Sequence, residues 1–513
     1  MTTSENAGPA AGAAKVDKGL KPNAIGFWDG LAIGLDSTAP AYSLAAVLGS
    51  MVVIAGVKAP AVLIVSFVPM LLIAGAFYYM NRADQDCGTT FSWVTRAMGP
   101  WMGWMGGWAV FTTGVLVIGS LADVSAYYLF DLVGLDSLRD NRPAVVALAV
   151  VIVLVMTWIC VLGTELSAKV QRVLVLAQVA ALILFAVVAA IRLATGNVPD
   201  EAITPSLGWL NPVGLDSTAL ISGMLLGVFI YWGWESAVNL TEESQHSETA
   251  PGMAGLVSTV VLVVTYVAVA VTMIAVSGLA LIEEYDDDAG LFGAAADLVL
   301  GPLAFLLVLS IITSGIASTQ TTILPASRTS LSMAVAGAFP KAFGRIDARH
   351  KTPAFGTWTI GIASILWYVG ASLVSDNFLF DSLSALSLLI AFYYGLTGLA
   401  CAIYWRHRLF SSVKVFLLIG AGPVVGALML FYLLFESVRE LADPNASYTG
   451  TSVLGIGVPL AIALIFIVLG VILMVLQRVT SGSLFFARRG FESVPDDVAL
   501  AALGPTRPGG TAA

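Results

Sequence analysis

The chain has 513 residues, of which 58 % are hydrophobic and only 11 % are charged, with a formal net charge of −9 and a mean hydropathy of +0.90. Soluble domains carry about 25 % charged residues, so this composition excludes a soluble enzyme, a nucleic-acid-binding protein and a disordered chain. It predicts a polytopic membrane protein.

Apolar runs long enough to cross a hydrocarbon core recur along the whole chain. Such long runs, without alternation, are typical of helices, which satisfy their own backbone groups inside lipid. We therefore predict an all-α polytopic membrane protein with 12 transmembrane helices. The expected spans are 29–54, 60–80, 101–131, 144–162, 168–192, 217–240, 256–280, 301–327, 354–374, 379–404, 414–436 and 453–477. They form a transporter domain over 25–478, between tails at 1–24 and 479–513.

Basic residues are distributed unequally between the two sides that twelve spans create. Of the 24 lysines and arginines, 19 fall on the side of the two tails and 5 on the other side. The positive-inside rule therefore predicts a multi-pass protein of the cytoplasmic membrane with both termini in the cytoplasm. The segments 134–143 and 193–214 are expected to be external.

Two spans contain residues that a membrane helix tolerates poorly. In the first span, Asp36 is followed by Ser37-Thr38-Ala39-Pro40, and a proline removes a backbone donor. An aspartate at a helix centre costs about 2.5–3.5 kcal/mol on insertion scales. In the sixth span, Gly233 lies beside Glu235 within Phe229-Ile230-Tyr231-Trp232-Gly233-Trp234-Glu235-Ser236. Both patterns predict an interrupted helix.

Interrupted helices at matching places in two halves of a chain indicate an inverted-repeat transporter. A break frees amide groups at one half-helix and carbonyl groups at the other, and these suit the carboxylate and the ammonium of an amino acid. The alternative is a pair of ordinary kinks without a binding site, because glycine and proline are common in membrane helices.

Around these residues the chain resembles the amino acid–polyamine–organocation superfamily of secondary transporters. The similarity lies in Gly233-Trp234-Glu235-Ser236 with the later Glu242-Glu243 and Ala250-Pro251. It continues after span 8 in Ser327-Arg328, Phe339-Pro340 and Thr352-Pro353. The resemblance implies a LeuT-like 5+5 inverted repeat, over about 29–192 and 217–404, plus two peripheral helices over 414–477. It also implies a substrate site between the breaks of spans 1 and 6.

The chain departs from this superfamily at two functional places. The first break has Ser37-Thr38-Ala39-Pro40 where relatives have a Gly-Ser-Gly sequence. In span 5, Gln178 stands where many proton-coupled relatives have a lysine, and glutamine cannot titrate. If protons drive transport, another group must carry them.

The breaks supply the candidate site residues. The expected substrate-binding residues are Asp36, Ser37, Thr38, Ala39, Phe229, Tyr231, Trp232 and Gly233, with Phe229 as a gate. Glu235 is the first candidate for the coupling proton and Asp36 the second. Alternatively, Glu235 binds free backbone amides and Asp36 caps a half-helix. In span 8, Ser314, Ser318 and Thr319 form a possible cation site, or they only pack helices closely.

The predicted function is therefore secondary active transport of amino acids or related amines by alternating access, with H⁺ expected as the coupling ion rather than Na⁺. The alternatives are a polyamine or organic-cation carrier, an exchanger, a nutrient sensor and an intramembrane enzyme. No buried histidine or paired-acid motif favours an enzyme. The cysteines Cys87, Cys160 and Cys401 lack metal-ligand spacing, so we expect no metal and no cofactor.

Overall fold

The computed structural model describes residues 17–284, 291–375 and 377–503, so most of the predicted N-terminal tail and the last ten residues of the predicted C-terminal tail lie outside the described residues. The helices are α1 Phe27–Ser37, α2 Pro40–Ala55, α3 Ala59–Ala83, α4 Thr90–Met98, α5 Pro100–Leu132, α6 Asp136–Arg139, α7 Arg142–Leu162, α8 Thr164–Thr195, α9 Ser217–Ile230, α10 Ser236–Asn239, α11 Ala250–Glu284, α12 Leu291–Leu300, α13 Phe305–Val335, α14 Ala354–Val374, α15 Phe378–Tyr404, α16 Val413–Val415, α17 Gly422–Glu440, α18 Val458–Ser481 and α19 Asp496–Leu503. A π-helical turn, Phe416–Ala421, joins α16 to α17. The strands are β1 Ser452–Val453 and β2 Ile456–Gly457.

Among the described residues, ten stretches are long and apolar enough to cross a membrane. The first, Phe27–Ala83, contains two passes, because α1 and α2 run one way and α3 returns. The shorter apolar helix α9 continues through a break into α10 and completes the sixth pass. Twelve spans are consistent with this arrangement, and the fold is all-α apart from one small hairpin.

The helices separate into an inner and an outer set by burial. In their most apolar windows, α5 is 89 % buried and α13 and α15 are each 78 % buried. The corresponding windows of α7 and α14 are only 33 % buried, so their apolar surface faces outward. A helix that is apolar on all sides can face lipid or lie in the core of the bundle. The burial therefore places α5, α13 and α15 in the core and α7 and α14 at the outer surface.

Both described ends of the chain lie on the same face of the bundle, which we call the tail face. Ile25 pairs with the segment after α10, accepting from the Gln245 amide at 2.8 Å and donating to the Glu243 carbonyl at 3.0 Å. At the other end, the Phe491 amide donates to the Ala97 carbonyl at 3.2 Å. Residues 17–24, which the sequence places in the N-terminal tail, are therefore packed against the tail face.

Two of the helix boundaries that differ from the sequence prediction have an identifiable structural cause. The eighth span continues to Val335 instead of ending at residue 327, so Arg328, counted with the loops, is inside α13 and fully buried. Its charge is compensated by a buried carboxylate, which a hydropathy scan cannot detect. The last span begins at Val458 because Leu454 and Gly455, both with positive φ, turn the preceding residues into the β1–β2 hairpin.

Candidate functional site

The first span is broken between Ser37 and Pro40. Ala39 adopts a left-handed conformation (φ 49°, ψ 60°), and Pro40 starts α2 at a position where no backbone donor is needed. Neighbouring hydroxyls bind the freed carbonyl groups: Thr38 Oγ1 donates to the Leu35 carbonyl and Ser43 Oγ to the Thr38 carbonyl, each at 2.7 Å. The break is therefore an ordered element of the fold.

The sixth span is broken between Ile230 and Ser236, around Gly233. Gly233 has φ +120°, a conformation that favours glycine. Its amide donates to Glu235 Oε2 at 3.1 Å, and the Tyr266 hydroxyl donates to the Ile230 carbonyl at 2.9 Å. Side chains thus replace the helical hydrogen bonds that the break removes.

The two breaks contact each other directly. Ser37 Oγ and Ser236 Oγ form a hydrogen bond of 2.7 Å. A Cβ atom added to Gly233 would lie only 2.5 Å from the Ser37 carbonyl oxygen, so only glycine permits this approach. The matching breaks predicted from the sequence therefore meet in the middle of the bundle.

A cavity of about 200 Å³, the inner cavity, lies beside this contact. All of its lining side chains are uncharged. Hydroxyl groups of α13 and the first break form one part of the wall, and apolar side chains of α5 and α9 form another. The lining residues are Ser37, Thr38, Ala39, Tyr42, Ser43, Val117, Leu121, Phe229, Trp232 and Ser318.

A second cavity of about 420 Å³, the outer cavity, lies on the side away from the tail face. It is lined mainly by apolar residues of α2, α9 and α15, together with Tyr448 from the segment between α17 and α18. Phe229 is the one residue that lines both cavities. Its ring packs edge-on against Tyr42, with centroids 6.4 Å apart. Phe229 therefore separates the two cavities, at the place predicted for a gate.

The structure brings five of the eight predicted substrate-binding residues into the inner cavity. Gly233 lies at the contact of the two breaks, and Tyr231 faces Phe67 and Tyr266, with ring centroids at 5.8 and 5.3 Å. Asp36 faces α8.

Sequence reasoning missed four lining residues: Tyr42, Ser43, Val117 and Leu121. Tyr42 and Ser43 follow the first break by less than one turn, which is a usable signal. Val117 and Leu121 belong to a uniformly apolar helix, in which no side chain stands out.

Glu235, the first candidate for the coupling proton, has a complete set of donors. The Tyr393 and Tyr394 hydroxyls each donate to one of its carboxylate oxygens, and the Gly233 amide adds a third hydrogen bond. The Trp232 indole in turn donates to the Tyr393 hydroxyl. Tyr393 and Tyr394 thus bind the second break from α15.

Asp36, the second candidate, has a much poorer environment. It is fully buried, and the Gln178 side-chain amide of α8 donates to its Oδ1 atom. Among the described residues, no group donates to Asp36 Oδ2, and Gln178 Oε1 is likewise buried without a partner. Gln178, which the sequence comparison above places where many relatives have a lysine, is therefore the direct neighbour of Asp36, the acidic residue at the first break.

The α13 hydroxyls proposed as a cation site are engaged with protein groups. Ser318 Oγ donates to the Ser37 carbonyl at 3.0 Å, and Ser314 Oγ accepts from the Tyr42 amide at 3.3 Å. Thr319 Oγ1 donates to the Gly315 carbonyl of its own helix at 2.8 Å. Two of the three hydroxyls thus hold the first break against α13.

The tail face is closed beneath the breaks by two charged clusters. Arg328 and Glu243 form an ion pair in which both side chains have no exposed surface, with Nε–Oε2 at 3.0 Å. Nearby, Lys18 Nζ lies 2.9 Å from Asp86 Oδ1 and 2.5 Å from Glu242 Oε1. These contacts join the N-terminal segment, the α3–α4 connection and the segment after α10.

The Lys18 cluster contains the one group of potential metal ligands found among the described residues. One ligand atom from each of Asp86, Cys87 and Glu242 lies within 4.8 Å of the others, and the Lys18 ammonium is next to all three. Burial raises the pKa of the Asp86 carboxyl, but Lys18, Ser332 and the Gly88 amide outweigh it and hold the pKa below its usual value. A protein cation therefore already balances these carboxylates.

The family model for amino acid permeases matches residues 34–471. The branched-chain amino acid permease BcaP of Lactococcus lactis subsp. cremoris (strain MG1363) is 25 % identical over 323 residues, which are 59 % of this chain and 66 % of that protein. Cationic amino acid transporter 3, mitochondrial, of Arabidopsis thaliana is 26 % identical over 317 residues, which are 58 % of this chain and 50 % of that protein. The matched region thus spans half to about two thirds of these relatives.

Among solved structures, MhsT in complex with L-phenylalanine superposes with a TM-score of 0.58 at 15 % identity, covering 79 % of this chain and 98 % of that one. At this identity the likeness shows the fold, a LeuT-like bundle in which the first and sixth spans are broken. The family match extends from the first break to the last span, and it includes both breaks and the inner cavity between them. The chain therefore belongs to the amino acid permease family.

Proposed function

We propose that this chain carries neutral amino acids with apolar side chains across the cytoplasmic membrane, by alternating access and coupled to protons. The observation that supports this most directly is the inner cavity, whose ten lining residues are all uncharged. A charged substrate side chain would lose its hydration there without gaining a partner, and that loss is costly. Val117, Leu121 and Phe229 offer an apolar side chain a matching wall.

The ends of the half-helices can bind the carboxylate and ammonium groups of an amino acid substrate. The N-terminal end of α2 has a positive dipole and suits a carboxylate, while the carbonyl ends of α1 and α9 suit an ammonium group. Ser37, Thr38 and Ala39 line the cavity at this junction. We therefore place the zwitterionic part of the substrate against the first break and its side chain toward α5.

Alternating access requires that only one side of the site is open at a time. Here the outer cavity lies directly beyond Phe229, while the buried Arg328–Glu243 pair and the Lys18 cluster join the elements of the tail face. We interpret this arrangement as a state closed toward the tail face and separated from the outer side by one aromatic ring.

A polyamine or organic-cation carrier is the second candidate, because two acidic residues lie at the breaks and two relatives are named as cationic amino acid transporters. The geometry favours it less. Glu235 is bound by three protein donors, and Asp36 faces α8 instead of the cavity. The names of BcaP and of the MhsT–phenylalanine complex support the apolar class.

For the coupling ion, the engaged α13 hydroxyls support protons over sodium. A sodium site would have to release Ser318 from the Ser37 carbonyl and Ser314 from the Tyr42 amide. For orientation, we place the tail face in the cytoplasm on the strength of the basic-residue distribution. A cysteine introduced at residue 345 should then resist impermeant thiol reagents in whole cells, and labelling from outside would contradict this orientation.

The substrate class is tested by thermal-shift measurements and by competition for uptake into proteoliposomes. Leucine, isoleucine, valine and phenylalanine should raise the melting temperature of the purified protein and compete for uptake. Lysine, arginine and putrescine should do neither. Stabilisation by the cationic compounds alone would favour the second candidate instead.

A further inference from the structure

At the break in span 1, the buried Asp36 carboxyl of α1 lies against the buried Gln178 amide of α8. Their Nε2–Oδ1 hydrogen bond joins them, and both side chains have 0 % exposed surface. In the part of the chain that the structure describes, the remaining oxygen of each group, Asp36 Oδ2 and Gln178 Oε1, has no partner. Buried oxygens without donors are rare in folded proteins, so this pair requires an explanation.

The groups around Asp36 offer no compensating charge. Gln178 faces it from α8, and the α13 hydroxyl nearest the break, Ser318, is used by the Ser37 carbonyl. From α11, Tyr266 donates to the Ile230 carbonyl, and the neighbouring carboxyl of Glu235 carries the same charge as Asp36. Among the described residues, no lysine, arginine or histidine forms an ion pair with Asp36. An ionised Asp36 would therefore be a buried, unpaired charge.

We infer that Asp36 and Gln178 together form the proton-binding site of this transporter, with the coupling proton on Asp36 Oδ2 and donated to Gln178 Oε1. A carboxylic acid and a primary amide each have one donor and one acceptor, so they can form two complementary hydrogen bonds. The first is the bond from Gln178 Nε2 to Asp36 Oδ1. The second bond runs from the proton on Asp36 Oδ2 to Gln178 Oε1. One hydrogen atom therefore gives both unpartnered oxygens a hydrogen bond.

This inference rests on the proposed transport function and specifies where its coupling proton binds. The contrast with Glu235 supports the assignment. Three donors among the described residues bind the Glu235 carboxyl, which suits a permanent carboxylate. Around Asp36, the amide offers an acceptor that only a protonated acid can use. We therefore assign the coupling proton to Asp36 at the first break instead of Glu235 at the second break.

The position of Asp36 connects the proton to the substrate. Asp36 directly precedes Ser37, which lines the inner cavity and touches the second break through Ser236. A substrate held against Ser37 and Thr38 would fix the end of α1 and with it the distance between Asp36 and α8. Protonation of Asp36 and binding of the substrate would then favour the same closed arrangement, which is the requirement for coupling.

Polar side chains also occupy the part of α8 between this pair and the tail face, starting about two helical turns from Gln178 at Gln171. Gln171 Nε2 donates to Gln320 Oε1 at 2.6 Å, and Gln320 Nε2 donates to Ser167 Oγ at 2.5 Å. Thr164 then donates to Glu243 of the tail-face ion pair. When the tail face opens, water entering along these side chains would accept the proton from Asp36.

Isothermal titration of the purified protein with leucine, in buffers of different ionisation enthalpy, counts the protons taken up with the substrate. The wild-type protein and Glu235→Gln should take up about one proton per leucine near neutral pH, and Asp36→Asn should take up none. Gln178→Lys should also take up none, because an ammonium keeps Asp36 ionised. The control Gln477→Lys adds the same charge on α18, and its proton count should equal that of the wild type.

Infrared spectroscopy provides a measurement that needs no substrate. When the pH is lowered from neutral to mildly acidic values, the substrate-free wild-type protein should gain the carbonyl band of a buried protonated carboxyl group, and this gain should be absent in Asp36→Asn but remain in Glu235→Gln. A band without any leucine binding would support the proton site and contradict the proposed substrate class. Leucine binding that depends on sodium, or a proton count that is lost only in Glu235→Gln, would overturn the inference.

Discussion

The two breaks of the bundle share one backbone design and differ in the state of their carboxyl groups. Each interrupts a membrane span at small residues, and they touch at Ser37 and Gly233. In the sixth span, Glu235 is bound by two phenols and an amide. In the first span, Asp36 has one amide neighbour and an unpartnered oxygen. Glu235, with three donors, is suited to remain a carboxylate with a structural role. Asp36, with one donor, is suited to bind and release a proton.

This difference shows that an acid near a helix break does not reveal its role by position alone. The donors that distinguish Glu235 come from α15, about 160 residues away in the sequence. Buried polar groups cost free energy unless they are paired, so the partners determine which protonation state the site prefers. The variants below test or sharpen the comparison.

The largest effect is expected from Gly233→Ala, which separates the two breaks. The added Cβ would lie 2.5 Å from the Ser37 carbonyl oxygen, at a φ of +120° that L-residues rarely adopt. Backbone strain of about 1–3 kcal/mol, together with this overlap, should weaken substrate binding by about a hundredfold. Affinity is measured by titration calorimetry on the purified protein.

The matched control for this variant is Gly75→Ala. Gly75 lies in α3, and apart from its chain neighbours and the backbone of its own helix, no atom of the described residues would be within 4 Å of its new Cβ. The control should bind substrate as the wild type does. If Gly233→Ala bound with unchanged affinity, the contact between the breaks would not be required for the site.

The next effect concerns stability and distinguishes the structural acid from the titrating one. Tyr394→Phe removes one donor from the buried Glu235 carboxylate, and a hydrogen bond to a charged group contributes about 1.5–3 kcal/mol. The melting temperature in detergent should therefore fall, while the proton count per substrate stays unchanged. Tyr432→Phe, at a side chain that is 58 % exposed, is the control and should not shift the melting temperature. A lost proton count in Tyr394→Phe would return the coupling role to Glu235.

A smaller effect is expected at Phe229, the ring between the two cavities. Phe229→Ala would connect the inner and outer cavities and remove an apolar wall, so we expect about tenfold weaker binding, mainly through faster dissociation. Phe380→Ala is the control, because Phe380 lines only the outer cavity. Stopped-flow or filter-binding measurements give the dissociation rates. Equal rates in the two variants would show that Phe229 is not the gate.

Much of this comparison could be predicted from the sequence, but the hydrogen-bond partners of the two carboxyl groups could not. Span positions, both breaks and the choice of Phe229 as a candidate gate follow from hydropathy, Gly–Pro chemistry and motif resemblance, which are properties of neighbouring residues. The partners of Asp36 and Glu235 come from distant helices, and no local pattern reports that Gln178 faces Asp36. Hydropathy likewise places the buried Arg328 in a loop, because its compensating partner Glu243 lies 85 residues earlier.

The smallest effect is expected on the tail face, beneath both breaks, from Lys18→Gln. Lys18 holds Asp86 and Glu242 together over the buried thiol of Cys87, and its removal should let the tail face open more often. In a protein with Cys160→Ser and Cys401→Ser, labelling of Cys87 by a maleimide, relative to the denatured protein, should rise a few-fold. Lys21→Gln is the control, because Lys21 pairs with Glu165 at an exposed site.

The pH dependence of this labelling follows from the charges of the cluster. The pKa of Asp86 is held below its usual value, so its ionic contact is lost only as the pH falls through that lowered pKa. Burial lowers the pKa of Lys18, but the surrounding Cys87, Asp86 and Glu242 raise it well above its usual value, so the contact is lost only at very alkaline pH. Protection of Cys87 should therefore stay constant between about pH 5 and pH 9. A rise in relative labelling within this range would mean that a group other than this cluster closes the tail face, and the charge on Asp36 would be the first one to examine.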